Sequence, residues 1–512
     1  MILEVDFKEQ TEELQADFGE IVKIPESGAV KTVNGIAPDE NGNVDVPIGD
    51  DCYALYMTLS QAVADINNGI SDNAVTDTST AKVKVFQGDT GRITVLLLAD
   101  VSESTEIQVS KDIDIVLGGN TLSFTTATAC LNFTTGTDCT INGEVVGSKM
   151  LKENISSATA TVYILDASGS RLSISGGEYS LSGDFGTQGG GAMLVRQNTS
   201  FEMDGCVVNC IKTNTSETKM TLGIQSQASE TIIKNCTITV SSVSKTVGIY
   251  LATKGTKAVV ENSTIKAKGS MNNTSNNVYA IFNNSTLTVE NSVLLADAPG
   301  CHANESVAVG IQNNSELFCK NANVNGTHSG IQSNHNNSKL YVDGGTYTGF
   351  CHGGFYIAHK GNGPVYINDA IMRCGNYEGE FDYSGKTGDI YGSMYISGAS
   401  NISAYLDGCT IGVDGANSIV LSNSGEISNN TVNISNSTIV DGAGIRIDSG
   451  TGHLVNVGVG TNITTKSTGT PSQMAFTNGF YRKKHPDAVC NAKDFDALAA
   501  IASVPVGDEV SY

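Results

Sequence analysis

Short runs of alternating apolar residues recur along the chain, and each run ends at a residue that tolerates a left-handed backbone. Residues 257–265 show the pattern: an apolar β-branched run, Asn262, two small residues and another apolar residue. Aligning this pivot residue gives twelve positions, 23 to 39 residues apart, that hold only Gly, Asn and one Asp. These residues reach the left-handed αL region at low cost. The pivots are Gly119, Gly143, Gly176, Gly205, Asn235, Asn262, Asn291, Asn321, Gly344, Asp369, Gly408 and Asn436.

The regular pivot predicts an all-β parallel solenoid of about twelve turns, because a bend repeated at one place in each turn stacks the turns on one another. A second marker supports this register, since an apolar strand opens each turn. The residues that mark these opening strands are 223–224, 248–249, 280–281, 310–311, 330–331, 354–355, 418–419 and 444–445. The alternative is a β-sandwich, whose turns would recur every 8 to 12 residues or so without a fixed pivot identity.

A helix is predicted over residues 58–70, directly before the first solenoid strands. Its apolar positions with helical spacing are Leu59, Ala62, Val63 and Ile66. Thr58 or Ser60 can cap its start, and Gly69 can end it. Such a helix would cover the open end of the solenoid. We expect three segments: residues 1–50 as an arm and hairpin, 51–463 as helix and coil, and 464–512 as a second cap with a helix over 492–502.

The N-terminal segment carries a motif with a recognisable resemblance. Residues 30–46 alternate around an Asn-Gly turn, which predicts a small hairpin. The order Val-Asn-Gly-x-x-Pro-Asp-x-x-Gly-Asn-Val resembles a module near the N-termini of bacteriophage and prophage fibre, baseplate and other appendage proteins. The resemblance covers about the first 48 residues and implies attachment to other virion proteins, commonly by a homotrimer. The implied virion-attachment residues are Phe18, Val33, Asn34, Gly35, Pro38, Asp39, Gly42, Asn43 and Val44.

The helix followed by a coil also resembles the opening of the pectin-lyase-like superfamily of right-handed parallel β-helices. This resemblance covers about residues 52–462 and implies a right-handed coil. It concerns the fold alone, because solenoids of this kind carry many functions.

The net charge and the lengths of the apolar runs exclude some classes of function. The net charge of −23, with 30 basic against 53 acidic residues, leaves no basic stripe for nucleic-acid phosphates. No run approaches the 18 or so apolar residues of a transmembrane helix, and the first ten residues lack the features of a signal peptide. We therefore expect no nucleic-acid partner, no membrane insertion and synthesis in a cytoplasm. The resemblance to phage appendage proteins implies that this cytoplasm is bacterial and that the protein has a place in the virion.

The 12 cysteines are scattered and form no C-x-x-C pair. We expect reduced, buried cysteines that act as small apolar residues, with disulfides as the alternative. Cys206, Cys236 and Cys409 each directly follow a pivot, where side chains of successive turns should stack.

The longest step between pivots, 39 residues from Asp369 to Gly408, predicts a protruding insertion. Its aromatic rings suit the faces of pyranose sugars, and its carboxylates suit sugar hydroxyls. Packing of the insertion on a neighbouring subunit is the alternative. The candidate residues for binding a glycan or partner are His352, Arg373, Tyr377, Glu378, Glu380, Asp382, Tyr383, Asp389 and Tyr391.

Catalytic motifs are weak in this sequence. A glycosidase needs two carboxyl groups about 5 to 10 Å apart, which Glu378, Glu380 and Asp382 could supply. The polygalacturonase motifs are absent: Arg446 and Ile447 precede Asp448 where that branch has Lys. We assign no catalytic residue, metal ligand or cofactor.

Three functions remain. The first is a phage tail or head fibre or spike that presents the β-helix to a host surface or glycan. The second is a tailspike depolymerase that hydrolyses, or cleaves as a lyase, a bacterial polysaccharide. The third, weaker, is a bacterial surface adhesin.

Overall fold

The computed structural model describes the solenoid and short stretches at both ends. The described residues are 13–15, 21–23, 52–88, 91–156, 161–169, 171–185, 189–197, 199–213, 220–243, 245–269, 277–298, 307–358, 363–375, 392–413, 418–422, 429–440, 445–447, 454–457, 460–464, 480–482 and 489–492. Near the N-terminus, Glu13–Gln15 and Ile21–Lys23 pair antiparallel. The predicted hairpin of residues 30–46 and all nine predicted virion-attachment residues lie outside the described residues.

The solenoid consists of three long sheets, named here in the order that follows the pivot. Sheet A lies directly before the pivot, sheet B directly after it, and sheet C opens the next turn. The strands of sheet A are Cys52–Tyr56, Val83–Gln87, Ile93–Leu97, Ile113–Val116, Asp138–Gly143, Arg171–Gly176, Ser200–Asp204, Glu230–Lys234, Lys257–Glu261, Thr286–Glu290, Glu316–Lys320, Lys339–Asp343, Val365–Asn368, Ser403–Asp407, Thr431–Ser435, Leu454–Val457 and Val489–Ala492.

Sheets B and C contain 14 strands each. The strands of sheet B are Val101–Glu103, Thr121–Phe124, Lys149–Ser156, Glu178–Asp184, Val207–Lys212, Thr237–Ser242, Thr264–Gly269, Val293–Asp297, Asn323–Gly326, Thr346–Gly349, Ile371–Cys374, Thr410–Val413, Thr438–Val440 and Asn462–Thr464. Those of sheet C are Ile107–Val109, Leu131–Phe133, Leu165–Ala167, Gly190–Val195, Thr221–Ser226, Thr246–Leu251, Val278–Asn283, Ala308–Asn313, Ser329–Ser333, Phe355–Ile357, Met394–Ser397, Ile419–Ser422, Ile445–Ile447 and Phe480–Arg482.

Parallel pairing between successive turns confirms the predicted solenoid and excludes the sandwich. Lys257–Glu261, for example, pairs in register with Thr286–Glu290, one turn later. With 14 strands in each of two sheets, the coil has slightly more turns than the twelve or so that the pivots predict. Two strands within the predicted C-terminal cap, Phe480–Arg482 and Val489–Ala492, also pair in parallel with the coil. The predicted helix over 492–502 lies outside the described residues beyond Ala492.

The N-terminal end of sheet A departs from the parallel pattern. Cys52–Tyr56 pairs antiparallel with Val83–Gln87, which pairs antiparallel with Ile93–Leu97. Parallel pairing begins only at Ile113–Val116. These first strands have no pivot between them, so the repeat in the sequence gave no indication of their direction.

Positive φ angles confirm the pivot at eleven of its twelve positions, with values between 47° and 82°. Gly143 is the exception, because it ends a strand of sheet A in register with Gly176, and Gly147 has the positive φ in that turn. A Cβ atom at Gly143 would lie 2.9 Å from the Cα of Gly177. Glycine is therefore required at 143 by a close backbone approach and not by an αL conformation.

The residue after the pivot forms a ladder between turns. The backbone N–H of Cys236 donates to Ser263 Oγ at 3.1 Å, and that of Ser263 donates to Ser292 Oγ at 3.1 Å. The same bond joins Cys409 to Ser437 at 3.0 Å. The predicted stacking of small residues after the pivot is confirmed, and each serine satisfies a backbone donor at the bend.

The cysteines follow the expectation with one correction. The structure has eight free cysteines in its described part, seven of them buried, including Cys206, Cys236 and Cys409. Cys351, in contrast, forms a disulfide. The expectation of reduced cysteines is wrong for Cys351, because the sequence does not show which cysteines come within bonding distance of each other.

The apolar interior is a set of columns that run along the coil. In sheet C the inward residues of consecutive turns align in register, as Ile224 does with Ile249. The column continues through Ile281, Ile311, Ile331, Phe355, Met394 and Ile419. The backbone of Ile445 pairs in register with Ile419 one turn later. Every member of the column except Met394 belongs to a marker that the sequence predicted for the opening strand. Burial of this column contributes to the stability of each turn in proportion to the apolar area removed from water.

The predicted cap helix is present as Leu59–Asn68. The Thr58 hydroxyl accepts from the backbone N–H of Gln61 at 3.2 Å, and Gly69 ends the helix with a φ of 66°. Leu59, Ala62 and Val63 are buried against the first turns. Among the described residues, no helix has the length and apolar character needed to span a membrane.

Connections between sheets differ sharply in length. Two residues separate the strands of sheets A and B at the pivot, as between Asp343 and Thr346. The connection from sheet B to sheet C varies: two residues separate Gly326 from Ser329, whereas residues 375–393 lie between Cys374 and Met394. All the extra length of the longest turn is therefore at the edge between sheets B and C.

Candidate functional site

Four aromatic side chains lie in a row on the outer face of sheet A. Phe318, Tyr341, Tyr366 and Tyr405 occupy the same register position on consecutive strands. Their ring centroids are 4.7, 5.8 and 4.8 Å apart, with interplanar angles of 8°, 9° and 13°. We call this row the aromatic ladder. Strand alternation places it outside, because the flanking residues Leu317 and Cys319 point into the core.

The aromatic ladder is accessible to solvent. Phe318 is 37% exposed, and Tyr366 and Tyr405 are each 41% exposed. Single exposed apolar residues need no explanation, but a contiguous exposed row commonly marks a binding surface.

A column of polar side chains runs parallel to the ladder, two residues further along each strand. It consists of Glu290, Lys320, Asp343, Asn368 and Asp407. Between column and ladder lies an open groove of about 480 Å³. It extends over four strands, from Thr288 to Tyr366, which is about 14 Å at a strand spacing near 4.8 Å.

The charges beside the groove are largely paired with one another. Lys320 Nζ lies 2.8 Å from Glu290 Oε1, and this hydrogen bond raises the pKa of Lys320. On the other side of the ladder, Lys339 Nζ lies 3.3 Å from Glu316 Oε1. The groove therefore presents carboxylates and amide groups together with a lysine that already has an acidic partner.

A second cluster surrounds His352, one of the residues predicted from sequence. Its ring stacks on Tyr395, with centroids 5.0 Å apart, and on Tyr356, at 4.7 Å. The ring of His328, from the preceding turn, packs edge-on at 4.1 Å. Both histidines lie at the edge between sheets B and C, beside the turn that carries the predicted insertion.

Both histidines of this cluster are held neutral at pH 7. Burial lowers the pKa of His328 to about 3. Burial, and then the neighbouring His328, hold the pKa of His352 well below its ordinary value. The two Nδ1 atoms are 3.4 Å apart, so one ring can donate to the other only if the two adopt opposite tautomers.

Arg373 lies on the sheet B strand of the turn that follows His352, where it pairs in register with Thr348. Thr348 in turn pairs with Asn325, so the structure brings Arg373 and His352 to the same corner of the coil. In the described part of this corner, Asn325 Oδ1 and Thr348 Oγ1 are buried oxygens without a hydrogen-bond partner. The other predicted glycan-binding residues, Tyr377, Glu378, Glu380, Asp382, Tyr383, Asp389 and Tyr391, lie outside the described residues.

The sequence reading identified His352 and Arg373 but missed the aromatic ladder and His328. A signal for the ladder was present: each of its rings lies three residues before a pivot, at Asn321, Gly344, Asp369 and Gly408. No comparable signal exists for His328. Among the described residues, no group of three or more His, Cys, Asp or Glu side chains is placed to hold a metal ion.

The stacked parallel sheets define the chain as a parallel β-helix protein. No protein-family model matches the chain, and no curated protein matches it. Among solved structures, the A-module of the mannuronan C-5 epimerase AlgE4 from Azotobacter vinelandii is similar to this chain. The identity is 12%, the match covers 79% of this chain and 92% of the module, and the TM-score is 0.31.

Proposed function

We propose that the β-helix binds a glycan in the groove beside the aromatic ladder. The observation that carries this proposal is the row of four rings on consecutive strands, three of them exposed and one half-buried, flanked by a polar column. The faces of aromatic rings attract the C–H groups of a sugar, because the π-electrons give each ring face a partial negative charge. The carboxylates, amide and lysine of the column offer hydrogen-bond partners for hydroxyl groups. A groove about 14 Å long suits a short stretch of an extended oligosaccharide.

The biological setting that we propose is a virion. The N-terminal motif resembles phage appendage modules, and this resemblance supports attachment of the protein to other virion proteins as a homotrimeric fibre or spike of the tail or head. The coil would then present its groove to a glycan on the surface of a bacterial host.

Substitution of the middle of the aromatic ladder is expected to weaken glycan binding. We expect the double variant Tyr341→Leu/Tyr366→Leu to lose affinity about ten-fold or more, because truncated aromatic contacts commonly dominate binding energy. The measurement is binding to an array of polysaccharides from bacterial surfaces. The matched control is Tyr250→Leu, which removes an outward-facing ring of sheet C that packs edge-on against Phe282. Equal binding by the double variant and the control would reject the groove as the site.

The same incubations test the depolymerase alternative. Release of reducing ends, or of the unsaturated products of a lyase, would show that the protein cleaves a polysaccharide. Binding that leaves the glycan intact supports the structural and adhesive role.

Oligomeric mass tests the appendage setting. We expect light scattering to give three times the mass of one chain for the full protein. Removal of residues 1–48, which carry the appendage-like motif, separates the contribution of this segment from that of the coil. A monomer with and without these residues would contradict the proposed trimer and weaken the virion setting.

A further inference from the structure

The first observation concerns the end of the aromatic ladder within the groove. Tyr341 stacks on one face of Phe318, with centroids 4.7 Å apart. On the other side, the residue in register with Phe318 is Thr288, whose side chain is too small to cover a ring. Both Thr288 and Phe318 line the groove. Within the described groove, Phe318 is therefore the ring with a face available for stacking.

The inner rings of the ladder differ from Phe318 in this respect. Tyr341 lies between Phe318 and Tyr366, and Tyr366 lies between Tyr341 and Tyr405, so both faces of these two rings are occupied. They present their edges and hydroxyl groups to the groove. A flat ligand has one place to stack in the groove, on Phe318 above Thr288, and contacts the other rings at their edges.

The second observation is the charge around this place. Lys320, which lines the groove, is paired with Glu290 at 2.8 Å, and Asp343 follows in the same column. Three carboxylates, Glu290, Asp343 and Asp407, against one paired lysine leave the column without a free cation among its described charged residues. The whole chain adds a net charge of −23. A polyanionic glycan would be repelled by this field and would have to compete with Glu290 for Lys320.

We propose that the Phe318 end of the ladder is a subsite for one uncharged pyranose ring and that the groove selects neutral glycans over uronic-acid polymers. This inference rests on the proposed glycan-binding function. The sugar lies flat on the open face of Phe318, and its hydroxyl groups face Glu290 and Lys320. Hexoses and N-acetylhexosamines have the required shape and lack the charge.

The selectivity is tested with each acidic polysaccharide of the array in two forms, native and carboxyl-reduced. Reduction converts uronic acids into neutral hexoses without changing the linkage. We expect the full-length protein to bind neutral and carboxyl-reduced glycans at least ten-fold more tightly than the native acidic forms. The double variant Glu290→Gln/Asp343→Asn should lose much of this preference.

The position of the subsite is tested by two matched truncations of the ladder. Phe318→Leu should lower the affinity for a neutral glycan about ten-fold or more, whereas Tyr405→Leu, at the end outside the groove, should leave it within about two-fold. Tighter binding of native acidic glycans, or equal effects of the two truncations, would overturn this inference while glycan binding stands. Absence of binding to any polysaccharide would reject the proposed function itself.

Discussion

Replacing Gly349 with alanine is expected to destabilise the solenoid by about 3 kcal/mol or more, one of the two largest effects that we predict. A Cβ atom at this position would lie 2.1 Å from the carbonyl oxygen of Gly353 and 2.6 Å from the Cα of Ser329. Both contacts are with backbone, so no side-chain rotation relieves them, and the corner between sheets B and C would have to open. The measurement is the free energy of unfolding from urea denaturation.

Gly255 is the matched control for this experiment. It has a positive φ of 80°, but a Cβ atom there would meet no atom within 4 Å. Gly255→Ala should therefore cost only the αL strain of about 1 kcal/mol. If Gly349→Ala were no more damaging than Gly255→Ala, the tight corner described here would be wrong. The same corner positions His352 against His328. We therefore expect a Gly349→Ala variant that still folds to have an altered contact between these two rings.

Lowering the pH from 7.5 to 5.0 is expected to destabilise the solenoid through the buried histidine pair. The folded pKa of His328 is about 3, and that of an exposed histidine in the unfolded chain is about 6.5. Between these values the unfolded state binds more protons, so the free energy of unfolding falls as the pH falls. At pH 5.0 the loss is about 2 kcal/mol for one such histidine, and His352 should add to it because its pKa is shifted in the same direction.

Two variants distinguish the effect of the histidine pair on stability from the general effect of acid on stability. His352→Phe keeps a ring to stack on Tyr356 and Tyr395, and it should reduce the difference in urea midpoint between pH 7.5 and 5.0. His335→Asn changes an exposed histidine and should leave that difference unchanged. An identical pH dependence in the wild type and in His352→Phe would show that the histidine pair does not titrate as described.

Much of the fold could be predicted from the sequence because one backbone requirement recurs in nearly every turn. A bend of αL conformation restricts its residue to Gly, Asn or Asp, and this restriction is visible without any knowledge of contacts. At Gly143 this inference from residue type to an αL bend fails. The same residue type was selected there by a close backbone approach, and composition alone does not separate the two causes.

The candidate site was less predictable for a different reason. The insertion after Cys374 was recognised by its length, but length does not reveal how its residues are arranged. The rings of the aromatic ladder keep a constant spacing from the pivots, so the ladder could have been predicted from the sequence. His328 was not, because it follows its strand by two residues and His352 follows its strand by three. Their contact depends on the course of two unequal corners.

The unequal connections have a consequence for how such a protein can change. Because the bend between sheets A and B always has two residues in the turns around the groove, the register of the ladder and the polar column is fixed. Length varies most at the edge between sheets B and C, from two residues after Gly326 to the stretch of residues 375–393. Segments can therefore be gained, lost or exchanged at that edge while the groove keeps its geometry. The same property makes this edge the natural place to graft a new peptide without disturbing the ladder.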